Sequence, residues 1–247
     1  MKESLEMPGP GMFKAKVWEY TNSRSSRKSS CVMYVDMNVK FEFGQRVNGN
    51  FTAGGWKKEE TTQFTSEWQS AVKTLWSQRF RLELMKGSRS ACKCPCGTDV
   101  VIKTRIDYSG KPGGRESGQW IVRVVKEKTG GSQVGGAEVW LYEGDNEPRG
   151  KKGHVVSAHE CGHMLGLLDE YPEATVRAKS AALNEKDNIM WHGMDVRSQQ
   201  YVIFSEILNE KLGKGNGCKY GVRDADGQWY TKDNAGLEAG WVMGVPK

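Results

Sequence analysis

Between His159 and Asp169 the chain reads His-Glu-Cys-Gly-His-Met-Leu-Gly-Leu-Leu-Asp, and this stretch restricts the fold more than any other part of the sequence. Two imidazoles four positions apart share one face of a helix, so the segment must begin helical if His159 and His163 are to act together. Glu160 is rotated by about 100° from His159, out of the ligand direction yet within reach of a water held beside the histidines. Gly166 suits the left-handed conformation that ends a helix, after which the chain can swing Asp169 back towards the rings. Three such donors around one open position are the stoichiometry of a catalytic zinc, whereas a structural zinc is closed by four.

The chain has four histidines, at 154, 159, 163 and 192, and all fall near this motif. The ordinary alternative, two core histidines satisfied by hydrogen bonds, sits poorly with an adjacent glutamate and an i,i+4 spacing. Asp169 is preferred over its neighbour Glu170 as third ligand. His192 is a candidate donor to a developing oxyanion or an alternative ligand. His154 is read as structural, and Tyr171 and Tyr201 both stand as residues that could reach a cleft.

Elsewhere the pattern is that of a mixed α+β domain. Phe13–Tyr20 reads as a short strand. Met33 to Phe43 alternates cleanly, placing Val35, Met37, Val39, Phe41 and Phe43 on one face and Asp36, Asn38, Lys40 and Glu42 on the other. Ser66 to Leu84 has helical spacing, with Trp68, Val72, Leu75, Trp76 and Phe80 as a core stripe and Thr65 or Ser66 as N-cap. Three strands follow at 99–106, 119–125 and 137–142, then the motif helix from about His154 to Leu168 and a last helix over 198–212. The expected architecture is a twisted sheet of four to five strands with a long packing helix, an active-site helix and a C-terminal helix. Residues 1–12 are expected as a loose lead-in, 13–212 as the main domain, and 213–247 as a Gly-rich appendage packed on it.

The run His159-Glu160-x-x-His163-x-x-Gly166-x-x-Asp169, with Met190 in the segment Asn188-Ile189-Met190, resembles the metzincin clan of zinc metallopeptidases. It is most similar to the minority of that clan, the snapalysin type, in which aspartate replaces a third histidine. The resemblance implies one catalytic Zn2+ on His159, His163 and Asp169, with Glu160 as general base. It also implies Met190 as a hydrophobic floor beneath the metal and the strand at 137–142 as the edge that pairs with a bound peptide. Trp191-His192 follows the methionine where several members carry a tyrosine two places on, so the transition-state donor is open and His192 is the candidate. The order of elements extends the likeness over residues 13–212 and leaves the C-terminal segment outside it.

The expected activity is hydrolysis of peptide bonds in a protein or peptide substrate, by an enzyme that would suit a bacterial effector toxin with an unidentified secretion or immunity partner. A zinc amidase acting on peptidoglycan peptides and a non-catalytic zinc-containing module are the alternatives. The net charge of +6 is a mild basic excess scattered among acids. It is read as a solvated surface, with no nucleic-acid partner expected. No apolar run reaches the roughly 20 residues of a membrane span, and the first residues lack a signal-peptide core. Secretion or delivery without a visible signal, or else a cytoplasmic life, is expected. Cys92, Cys94 and Cys96 are read as a loop of free or disulfide-paired thiols rather than a second metal site, Cys161 as a packing residue, and Asp224-Ala-Asp-Gly227 as a turn.

Overall fold

The computed structural model describes residues 2–8, 13–21, 29–85, 87, 92, 94, 97–107, 118–127, 130–169, 187–213 and 217–235. Its centre is β3, Ser29–Val47, the alternating segment of the sequence. Met33, Val35, Met37, Val39 and Phe41 are buried on one face, while Tyr34 and Asp36 are half-buried on the other. A strand this long takes two neighbours on each side. On one side it pairs with β2 (Lys14–Thr21, antiparallel) and then β7 (Gln119–Val125, parallel). On the other it pairs with β6 (Thr98–Asp107, parallel) and then β4 (Asn50–Ala53, antiparallel).

Among the described residues the sheet has eleven strands, not the four to five expected. The additions are mostly short, Gly-bounded segments that carry too few residues for alternation to show. Lys2–Pro8, within the expected lead-in, is β1 and pairs with β2. Beyond β6 lie β5 (Arg81–Leu84), β10 (Tyr220–Arg223) and β11 (Trp229–Tyr230), all antiparallel. Beyond β7 lie β9 (Glu138–Tyr142, parallel) and β8 (Gln133–Gly135, antiparallel). The strand at 137–142 is therefore internal, and the edge is β8.

Among the described residues three α-helices complete the fold. Helix α1, Lys58–Trp76, starts two turns before the expected point. Its polar first turns are held by Glu60, whose carboxylate accepts from the Lys57 N–H at 2.7 Å, so no apolar stripe is needed there. It stops at Trp76 because Ser77 is extended and Gln78 adopts φ 55°, which turns residues 81–84 into β5 instead of helix. Trp68 lies edge-on to Phe41 at 5.3 Å, fixing α1 on the apolar face of β3. Helix α2 is Val156–Met164, shorter than the expected 154–168 because His154 is bridged to Arg149 and Gly166 takes φ 96°. The last helical segment is composite: a 3-10 turn at Ser198–Tyr201, α3 at Val202–Leu208, then a π turn at Asn209–Gly213.

Two disulfides, Cys31–Cys94 and Cys92–Cys218, tie the start of β3 and the segment before β10 to one short stretch of chain. Cys161 is a buried free thiol, and burial pushes its pKa above the ordinary thiol range. Cys96, Glu170 and Tyr171 lie outside the described residues. Among the described residues no helix is long and apolar enough to cross a membrane.

Candidate metal centre

Helix α2 is buried along nearly its whole length, and its position is fixed by a hydrogen bond from the Trp76 indole to the Ala158 carbonyl at 2.8 Å. His159 and His163 project from one face with ring centroids 4.8 Å apart. The turn at Gly166 returns Asp169 to that face, where its Oδ1 lies 3.1 Å from His159 Nε2 and 3.2 Å from His163 Nε2. The three donor atoms lie within 4.8 Å of one another and form a group that can hold a metal ion.

The orientation of each ring is settled by the backbone. His159 Nδ1–H donates to the Ile189 carbonyl at 2.7 Å, and His163 Nδ1–H donates to the Leu167 carbonyl at 2.8 Å. A carbonyl can only accept, so Nδ1 is protonated in both rings; Nε2 faces Asp169, donating to it when the ring is charged and offering its lone pair to a metal when the ring is neutral. Carbonyl partners of this kind fix the tautomer of ligating histidines and raise their basicity.

Glu160 is 4% exposed, and its Oε2 has no hydrogen-bond partner. Burial raises its carboxyl pKa, against the pull of His163 and His159. Asp169 shows the reverse outcome. Burial opposes its charge, but hydrogen bonds from His159 and His163 outweigh that and hold its carboxyl well below the usual range. For His163, burial disfavours the charged ring, and the hydrogen bond and charge of Asp169 overcome it, so its pKa is raised.

The segment after the site is built around Met190, which is fully buried. It packs on Gly162, where an added Cβ would collide with Met190 Sδ and lie 2.9 Å from the Trp76 ring. The turn closes through Trp191 N–H to Asn188 O at 3.1 Å and Gly193 N–H to Asn188 O at 3.0 Å. Gly193 passes so close to the Asp187 carbonyl that a side chain there has no room.

These elements enclose a cleft of about 400 Å³. Its walls are β8 and the preceding Ser132 on one side, and Trp191 and His192 on the other. His154 also lines it, with Nδ1–H donating to Gly193 O at 3.0 Å and its ring 5.5 Å from that of His159. Burial lowers the His154 pKa. Tyr201 does not reach the cleft. It is fully buried, donates to the Trp76 carbonyl and accepts from Arg79 N–H at 3.2 Å, locking the end of α1 to α3. The parts missed by the sequence reading are β8, Trp191 and the place of His154 in the cleft. The glycine pairs at 130–131 and 135–136 were the available signal for a short strand between them.

Neither a protein family, nor any curated protein, nor any solved structure matches this chain.

Proposed function

We propose that this protein is a zinc-dependent endopeptidase of metzincin type, with His159, His163 and Asp169 holding one zinc ion and Glu160 as general base. One observation carries the reading: two imidazoles with Nδ1 committed to carbonyls aim their Nε2 atoms at one carboxylate oxygen, beside a buried glutamate with an unpartnered oxygen. Two nitrogens and a carboxylate are a donor set suited to zinc. Among the described residues no fourth donor joins the group, which favours a catalytic over a structural ion.

When bound, zinc supplies Lewis-acid polarisation of the scissile carbonyl and acidifies a water towards neutral pH. Glu160 takes a proton from the attacking water as the new C–O bond forms, then delivers it to the leaving nitrogen as the C–N bond breaks. Its desolvated setting raises its affinity for that proton, which suits a group that must hold it between the two transfers. The open edge of β8 along the cleft suits an extended peptide adding as a further strand. No lysine or arginine among the described residues lines the cleft, so nothing there would clamp a terminal carboxylate, and an internal bond is the better substrate. His192 at the rim is the proposed oxyanion donor. The two disulfides suit action in an oxidising, extracellular setting.

The reading is tested by digesting a peptide library and a muropeptide preparation with and without chelator. Chelator-sensitive cleavage of internal peptide bonds is expected. Cleavage of muropeptides alone, or of the library undiminished by chelator, would overturn it.

A further inference from the structure

Among the described residues, a second concavity is larger than the metal cleft. A groove of about 1030 Å³ lies on the Tyr34/Asp36 face of β2, β3 and β6 and reaches round the β6 edge to Gln69, Ser70 and Lys73 of α1. Among the described residues it is lined by four cations, Lys16, Lys73, Lys103 and Arg105, and by one carboxylate, Asp36. Asp36 is itself 3.5 Å from the Arg105 guanidinium, so its charge is already compensated. Lys73, Lys103 and Arg105 are exposed; Lys103 and Arg105 share β6, while Lys16 and Lys73 come from separate parts of the chain. The sequence scatters its basic residues; the sheet gathers these.

We infer that this groove is a docking surface for an acidic segment of polypeptide. Charge complementarity selects an anionic partner, since an excess of cations focused in a concave site raises the local concentration of anions. The aromatic residues decide between classes of anion. Single-stranded nucleic acids bind through open aromatic faces on which bases stack. Here the Lys103 ammonium covers the Tyr34 ring at 3.5 Å, leaving half-buried Trp18 as the other ring of the groove. Of the apolar lining, Val72 and Ile102 are buried, and half-buried Val101 and Trp18 supply the apolar surface for side chains between the acids.

Addition of a strand to β6 is not the binding mode. Among the described residues β6 has no strand partner on this side beyond Thr98 and Asp99, and α1 and the turn after it cap that edge. Gln78 N–H donates to Val100 O at 2.7 Å, Ser77 Oγ accepts from Ile102 N–H at 2.9 Å, and Gln69 Nε2 donates to Thr104 O at 3.3 Å. Recognition therefore falls to the side chains. In strand order β6 and β8 are four steps apart, which places the groove on the order of 20 Å across the sheet from the metal cleft. The groove does not depend on the metal centre, and a protein long enough to occupy both would be held at two points.

The test uses the full chain carrying Glu160→Gln, a fluorescent oligoglutamate peptide, and an oligothymidylate of equal length as competitor. Salt-sensitive binding of the peptide is expected, weakened by about tenfold in a Lys103→Glu/Arg105→Glu variant. Both side chains are exposed, and an unchanged circular dichroism spectrum and melting temperature confirm the fold of the variant. Absence of peptide binding, equal binding by the variant, or tighter binding of the oligonucleotide through the same two residues would each overturn the proposal.

Discussion

Met190 occupies the space that any side chain at position 162 would need. Gly162 lies on α2 between His159 and His163, so the closeness of this contact sets how near the turn at 188–193 sits to α2. The same turn provides the Ile189 carbonyl that orients His159. Packing and ligand geometry are thus one arrangement.

Gly162→Ala tests that coupling. Alanine favours helix over glycine by about 1 kcal/mol, while overpacking of a filled core costs about 1–3 kcal/mol. Because the added methyl meets Met190 Sδ and the Trp76 ring together, the packing cost should win. A lower unfolding midpoint with weakened zinc affinity is expected, and an unchanged affinity would separate the turn from the site.

Glu160→Gln keeps the shape of the side chain and removes the base. Peptide cleavage should fall by at least about 10²-fold, the usual contribution of a positioned general base. Zinc content should be unchanged. The metal-free variant should be no less stable than the wild type, because burial already disfavours the ionised carboxylate. Cleavage at wild-type rate would remove Glu160 from the mechanism.

The metal-free protein should carry a pH signature of the His163–Asp169 pair. The raised His163 value contributes stability that is complete below its ordinary pKa of 6.5 and is lost as pH rises through the folded value. The depressed Asp169 value contributes stability present above its ordinary 3.8 and lost only as pH falls towards the folded value. Both parts coexist between these two ordinary values. His154, with its lowered pKa, acts in the opposite sense, so the readout is the difference between wild type and Asp169→Asn. That difference in unfolding free energy should shrink from pH 6 to pH 8. A difference independent of pH would show that the pair is not ionic.

Removing the Cys92–Cys218 disulfide by a double serine substitution should cost about 2–5 kcal/mol, since it closes a loop of 126 residues. It lies at the β10 end of the sheet, away from β8, so zinc content should survive the change. Loss of zinc in a variant that remains folded would show that the two ends communicate.

The donor group was legible because its information is local. His159, His163, Gly166 and Asp169 sit within eleven consecutive residues, where helical spacing and one left-handed glycine turn dictate which groups meet. The long strand β3 was legible for the same reason, through alternation over consecutive residues. What escaped depends on distant pairing. β8 has three residues and is a strand only because β9 lies beside it. Cys92 and Cys94 find partners 126 and 63 positions away, which spacing alone cannot select. The apolar stripe of α1 ran on to Phe80, but the left-handed Gln78 and the bond from its N–H to Val100 O commit that stretch to the sheet.

Zinc titration of the chelator-stripped protein, followed by elemental analysis, bears most directly on the central claim. One tightly held ion per chain is expected in the wild type, with occupancy sharply reduced by His163→Ala and by Asp169→Ala. A folded protein that retains no zinc at saturating supply, or that binds it equally well without His163 and Asp169, would contradict the account.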